Sequence, residues 1–250
     1  MENKTKEWFQ LVDSVIAPSI VKIETPQGHG TGFLCARNEK KTYVAIATAH
    51  HVVRQADKWQ QPIRILGGAS SDTILLQEAD RIILPDIKRD RDSAIIIVPT
   101  AKIAPLQLPE KPIDFIKTRR HLKVGVEVAW LGYPSIGPET LCFFRGTVSA
   151  WQEKSEAYLI DGVAINGVSG GPVFSRTIEG GAQIIGSITA YMPNRLTSET
   201  LPGLCIAQDV SHFQEFVTEM KNREEAERKK REQEAEADTS SGALPPPMPE

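Results

Sequence analysis

The chain has 250 residues, 40% of them hydrophobic and 24% charged, the make-up of an ordinary globular protein, which excludes disorder as its main state. Lysine and arginine number 29 against 32 aspartates and glutamates, a formal charge of −3, so there is no excess positive charge to neutralise nucleic acid or an anionic membrane, and neither is expected as a partner. Cys35, Cys142 and Cys205 show no CxxC spacing and no even count, and read as buried thiols of a reducing, cytoplasmic compartment, with neither a disulfide framework nor a metal site.

Residues 1–18 hold a short amphipathic helix: Trp8, Phe9, Leu11, Val12, Val15 and Ile16 recur at helical spacing up to Pro18. No cleavable signal pattern follows it, and no window approaches the roughly 18 to 20 apolar residues of a membrane span. From 19 to 210 the pattern changes to short β-branched or alternating runs broken by Gly, Pro and Asp. Twelve candidate strands follow: 19–25, 32–37, 42–48, 62–66, 73–79, 93–98, 126–132, 142–151, 157–160, 171–174, 183–189 and 203–210. Without ten-residue helical patterns between them, they predict an all-β fold of antiparallel barrels or sandwiches.

Ser211 and Gln214 have capping-box spacing, and Phe213, Phe216, Val217 and Met220 then share one helical face. A C-terminal helix is therefore expected over 211–237. Its stretch from Lys221 carries balanced charge and no large apolar residue, which reads as a solvated extension and a possible contact for a protein partner. Residues 238–250, with four prolines, read as a disordered tail.

The sharpest signal is Gly167-Val168-Ser169-Gly170-Gly171-Pro172. At average residue usage its five fixed positions would occur by chance in roughly three of ten thousand such chains. A glycine-rich turn can present the Ser169 hydroxyl and leave the N–H groups of Gly167 and Ser169 aimed into one pocket, where an oxyanion would be stabilised. A serine hydroxyl is a weak nucleophile and needs a histidine base and a group to orient it. His50 and His51 lie at the end of the run 42–48; His29, His121 and His212 read as surface or capping residues. Asp92 precedes the apolar run Ser93–Val98, with Asp86 and Asp90 as competing carboxylates.

These residues resemble the trypsin-like, chymotrypsin-fold serine proteases, most closely the HtrA (Deg) group. The TAxH motif of that family matches Thr48 to His51, its DxA motif matches Asp92, and its GxSGGP motif matches Gly167 to Pro172, in the family's order; the similarity extends over residues 8–210. The resemblance implies two six-stranded antiparallel β-barrels with an N-terminal and a C-terminal helix, and a serine endopeptidase without cofactors acting on polypeptides. His51 would be the base, Asp92 its orienting acid and Ser169 the nucleophile, with Gly167 and Ser169 forming the oxyanion hole. Val163 and Ala164 would lie at the base of the primary pocket, and Ser187, Ile188, Thr189 and Ala190 would pair with substrate. Lacking an acid at Val163, the chain is expected to cut after small or medium apolar residues. Val168 stands where secreted digestive relatives carry an aspartate that pairs with a newly cut N-terminus, so activation by that switch is not expected. The roughly forty residues after Val210 are too few for a PDZ module.

GVSGG also fits the GxSxG elbow of α/β-hydrolases, but those order their triad Ser, acid, His, and only His212 follows Ser169 here. The other rival is a trypsin-fold module that serves as a latent enzyme or binding platform.

Overall fold

The computed structural model describes residues 8–67, 72–87, 89, 91–117, 120–193 and 200–241. The N-terminal helix is broken into a four-residue α-turn, α1 (Trp8–Leu11), a wider turn over Val12–Ile16 and a tight turn over Ala17–Ser19. Pro18 accounts for the final tightening, because it supplies no N–H to the helical ladder.

The first sheet contains β1 (Ile20–Thr25), β2 (Gly28–Arg37), β3 (Tyr43–Thr48), β4 (Ile63–Gly67), β5 (Thr73–Leu76), β6 (Ile82–Pro85) and β7 (Ala94–Pro99). It runs antiparallel in the order β5-β4-β1-β2-β3-β7-β6. The second contains β8 (Glu127–Gly132), β9 (Cys142–Gln152), β10 (Ala157–Asp161), β11 (Pro172–Arg176), β12 (Ala182–Pro193) and β13 (Thr200–Asp209), and closes as β10-β13-β12-β11-β8-β9. Of the two six-stranded barrels expected, one is therefore a closed barrel and the other an open half-barrel of seven strands. The extra strand is β6, a four-residue edge piece stopped at Pro85, too short to show an alternating pattern. Between β5 and β6 no ladder forms; instead the Arg81 guanidinium donates to the carbonyls of Leu76 (2.9 Å) and Gln61 (2.6 Å).

Strands β3 and β7 read as unbroken apolar runs because both of their faces are buried. Val44, Ile46, Ala94, Ile96 and Val98 fill the half-barrel with Val21, Ile23 and Ile65. The alternate residues Ala45, Ala47 and Ile95 join Ile20 and Phe33 in a second core shared with Trp130, Tyr158, Phe174 and Phe213. Period-two alternation thus assigns one face of each strand to its own barrel and the other to the neighbouring unit.

Helix α2 (His50–Lys58) follows β3 directly and escaped the sequence reading, since only Val53 and Ala56 on it are buried. After a single-turn helix α3 (Thr100–Ile103), helix α4 spans Ser211–Ser241, running past 237 into the predicted tail; residues 242–250 lie outside the described residues. The expected Ser211–Gln214 capping box does not form. Asp209 takes its place, its Oδ1 accepting from the Ser211 N–H (3.3 Å) and hydroxyl (2.8 Å), while the Gln214 amide donates to the Ile116 carbonyl. A carboxylate already inside the barrel is the stronger acceptor at a positive helix end. Phe213 is fully buried, edge-to-face on Phe33 at 5.7 Å, and Phe216, Val217 and Met220 pack partly on the same core. Burying such a side chain contributes roughly 1.5–3 kcal/mol. The helix's exposed ion pairs contribute under ~1 kcal/mol each, so the apolar anchor decides where α4 sits. Contact continues past Lys221: Glu224 accepts the Glu39 N–H at 2.6 Å and Glu227 pairs with Lys40 at 3.2 Å.

Candidate active site

His51 lies in the first turn of α2, where helical N–H groups have no intrahelical partner. Asp92, just before β7, supplies the acceptor. Its Oδ1 accepts the backbone N–H of His51 at 2.8 Å, and its Oδ2 accepts from the ring Nδ1 at 2.6 Å. A ring that donates from Nδ1 to a carboxylate leaves the Nε2 lone pair free to take a proton. Burial pushes the Asp92 carboxyl upward, but the hydrogen bonds and charge of His51 outweigh it, so its pKa lies below the ordinary value. The His50 side chain makes no hydrogen bond among the described residues, and burial pushes its imidazole below the usual histidine range. Of the competing carboxylates, Asp86 is buried against Arg91 at 2.8 Å, away from His51, and Asp90 lies outside the described residues.

Ser169 sits in a loop whose carbonyls are tied back into the fold. The Asn166 carbonyl accepts from the Ser135 N–H (2.7 Å), that of Gly167 from the Thr31 hydroxyl (2.9 Å), that of Val168 from the Gly171 N–H (2.9 Å), and that of Ser169 from the Thr31 N–H (2.7 Å). In a trans peptide the N–H points opposite to the carbonyl. Anchoring the Asn166 and Val168 carbonyls therefore turns the N–H groups of Gly167 and Ser169 the other way, and neither donates a hydrogen bond within the described residues. Two unpaired donors one residue apart form a site for a developing negative charge. Gly167 (φ +93°) and Gly170 (φ +84°) cannot be replaced there: a Cβ would meet the Tyr133 carbonyl oxygen at 2.3 Å and the Thr31 carbonyl oxygen at 2.1 Å. A Cβ on Gly170 would also lie 2.3 Å from Thr48 Oγ1 and 2.8 Å from Ala49 N, which shows how closely this loop packs on the entry to α2. The Ser169 hydroxyl makes no hydrogen bond to His51; such bonds commonly tighten only with substrate in place.

Two residues at this loop carried no signal in the sequence. Thr31 is fully buried and its hydroxyl accepts from the Tyr133 N–H (3.0 Å) while donating to Gly167. His29, expected at the surface, donates from Nε2 to the Tyr133 carbonyl at 3.0 Å, beside Gly167. Both lie on β2, some 140 residues before Ser169, and only the meeting of the two sheets brings them there. His212, also expected as a surface or cap residue, bonds the Ser93 hydroxyl at 3.0 Å, and His121 stacks on Trp151 with ring centroids 4.8 Å apart.

The residues expected to receive substrate are placed unevenly. Val163 is 47% exposed and Ala164 is half-buried. On β12, the Ile188 N–H and carbonyl are already committed to Gly171 and Gly170, and Ser187 is buried opposite Pro172 in the ladder. Of the expected pairing segment only Thr189 and Ala190 run beyond the Ser169 loop, with Ala190 exposed. The three cysteines are unpaired, Cys35 and Cys205 buried and Cys142 partly so. Among the described residues no helix is long and apolar enough to cross a membrane, and no group of three or more His, Cys, Asp or Glu is placed to hold a metal ion.

Residues 30–180, which carry the His51–Asp92 pair and the Ser169 loop, match the family described as the trypsin-like peptidase domain. The chain belongs to that family. Its fold is chymotrypsin-like, as in the two solved structures described next. One is the inactive form of a mutant of Rv3671c from M. tuberculosis H37Rv, at 18% identity and TM-score 0.57, covering 85% of this chain and 90% of that one. The other is the serine endoprotease from Yersinia pestis, at 17% identity and TM-score 0.58, covering 86% of this chain and 66% of that one. No curated protein matches the sequence. The peptidase-domain match stops at residue 180, before β12, β13 and α4.

Proposed function

We propose that this trypsin-like domain is a serine endopeptidase of the HtrA type. One observation carries the proposal: the Asp92 carboxylate grips both the backbone and the ring of His51, beside a loop that offers Ser169 with two unpaired N–H groups. His51 takes the Ser169 proton through Nε2 as the hydroxyl attacks the carbonyl carbon of the scissile peptide. Asp92 holds the tautomer and stabilises the imidazolium that forms. The Gly167 and Ser169 N–H groups receive the oxyanion, and His51 then passes its proton to the leaving amine; water repeats the sequence to release the acid. None of these steps calls on a cofactor.

The substrate is a polypeptide whose residue before the cut is small or medium and apolar, received near Val163 and Ala164, with the extended chain pairing beside Thr189 and Ala190. The unpaired cysteines fit a reducing compartment such as the cytoplasm. The exposed stretch of α4 over residues 225–234 is available to a protein partner. A second reading, a latent or binding-only module, is favoured by the absence of a Ser169–His51 hydrogen bond. Reaction with a fluorophosphonate separates the two. Rapid labelling of Ser169 in the free chain supports the peptidase; labelling no faster than that of a free serine supports the latent module.

A further inference from the structure

Apart from His51, no described residue of the half-barrel hydrogen-bonds the Asp92 side chain; Asp92 is carried by the connection between β6 and β7, and that connection is also bonded outside the half-barrel. Within the connection, Asp86 N–H donates to the Ser93 carbonyl (3.0 Å), Arg91 N–H to the Asp86 carbonyl (3.3 Å) and Ser93 N–H to the Arg91 carbonyl (2.9 Å), so residues 86, 91 and 93 move as one piece. Its side chains reach outward from there. The Arg91 guanidinium, 5% exposed, donates from Nε to Asp86 (2.8 Å) and from Nη1 to Glu156 and Asp209 (2.7 Å each) on the closed barrel. Arg89 takes both carboxylate oxygens of Glu215 on α4. The fully buried Ser93, next to Asp92, bonds His212 Nδ1 at 3.0 Å.

The same Asp209 oxygen that receives Arg91 also caps α4 through the Ser211 N–H and hydroxyl. Helix α4 and the Asp92 connection therefore share one acceptor, and a shift of the helix start loosens the Arg91, Arg89 and Ser93 contacts together. Burial pushes His212 below the usual histidine range. A neutral ring there bonds the Ser93 hydroxyl without adding a second positive charge beside Arg91. None of these groups touches His51 or Ser169.

Resting on the peptidase reading above, we propose that the first turn of α4 positions the acid of the triad: His212, through Ser93, and Asp209, through Arg91, hold the 86–93 connection so that Asp92 meets both bonding groups of His51. His212, Ser93 and Arg91 are positioning residues, and α4 is a structural part of the active site although it lies outside the family match. A partner that pulled on the exposed stretch of α4 over residues 225–234 would act on Asp92 through this cluster.

The test compares full-length wild type with His212→Ala, His212→Asn and Ser93→Ala. Small misplacement of a reacting group costs rate more than ground-state binding. Expected for His212→Ala is a roughly tenfold fall in kcat on a short peptide with KM nearly unchanged, and partial recovery in His212→Asn, whose amide reaches the Ser93 hydroxyl. Ser93→Ala, which removes only a hydroxyl, should reproduce the fall if His212→Ala does not fold, and the double variant should be no worse than either single one. In proton NMR, the low-field resonance of the short His51 Nδ1–H to Asp92 bond should shift or broaden in the alanine variants. Unchanged kcat and an unchanged resonance in both alanine variants, with wild type active, overturn the inference and leave the peptidase reading intact. If wild type neither cleaves peptides nor reacts with a fluorophosphonate, that reading fails, and the resonance alone decides the positioning role.

Discussion

The carboxylate of Asp92 holds His51 at two points, the backbone N–H at 2.8 Å and the ring Nδ1 at 2.6 Å, so one side chain both caps the start of α2 and sets the face of the imidazole. Asp92→Asn keeps the shape but offers an amide N–H to one of these donors, which turns the ring toward the wrong tautomer. We expect kcat to fall by about 10⁴-fold, the loss seen in other triads, with KM little changed. Steady-state kinetics on a peptide substrate would reveal it; a loss below tenfold would remove Asp92 from the role assigned to it.

Ser169→Ala and His51→Ala should each abolish hydrolysis almost completely, and the double variant should be no worse, because triad members act as a unit. His50→Ala should be far milder, since His50 bonds to nothing in the site. Damage from His50→Ala equal to that from His51→Ala would reverse the assignment.

Thr31 is a hidden brace for the Ser169 loop. Thr31→Val strands the Tyr133 N–H and the Gly167 carbonyl in a buried setting, which should cost about 1–3 kcal/mol of stability and lower kcat by freeing the Gly167 peptide. Thr31→Ser restores the hydroxyl and should restore most of both. Chemical denaturation and peptide kinetics on the two variants check this together; equal behaviour of valine and serine would count against it.

Acid should destabilise the fold. Burial raises the carboxyls of Glu24 and Asp92, but Lys22 with Arg64 in the first case and His51 in the second outweigh it, so both titrate below their ordinary values. A lowered carboxyl gives stability that is fully present above its unfolded value, near 4, and lost as pH falls through the folded one. Asp209, raised by burial, works in the opposite direction, its contribution fading as pH climbs through its folded value. His50 and His212, lowered by burial, cost stability as pH falls through the unfolded histidine value near 6.5, and the lowered carboxyls outnumber Asp209, so the melting temperature should decline gently below about pH 6.5 and drop further below about 4. Asp92→Asn should flatten the drop; a melting temperature that rises on acidification would contradict the sign.

Peptide-library cleavage should be dominated by Val, Ala or Leu before the scissile bond. The nearest acid in sequence to Val163 is Asp161, whose Oδ1 lies 3.7 Å from where a Gly203 Cβ would be. A profile dominated by Lys or Arg would refute the apolar preference, and its loss in Asp161→Asn would transfer the pocket's charge to that residue.

A chain ending at Met220 loses the exposed contacts of Glu224 and Glu227, worth under ~1 kcal/mol each, and should melt within a few degrees of full length. Phe213→Ala, by contrast, removes a side chain with no exposure and should cost about 3–5 kcal/mol. Calorimetry on both distinguishes an apolar anchor from a charged one; a larger loss from the truncation would overturn that ranking.

The motifs that hold His51, Asp92 and Ser169 stood out along the chain because glycine-rich turns and strand-end motifs are local patterns, and twelve of the thirteen strands among the described residues announced themselves through β-branched runs. Strand β6 and helix α2 did not: four residues and two buried side chains are too few to set a period against their neighbours. The double burial of β3 and β7, the two-point contact of Asp92 with His51, the brace made by Thr31 and His29, and the cap supplied by Asp209 were decided only in three dimensions. The Asp92–His51 contact and the brace of Thr31 and His29 join groups from 41 to nearly 140 residues apart. The double burial depends on which face of a strand meets the second barrel, and Asp209, only two residues before Ser211, is met there by Arg91 from the distant β6–β7 connection. Local propensity carries no information about such distant partners, whereas packing two cores together leaves each buried polar group only the acceptors that the other sheet and α4 bring within reach.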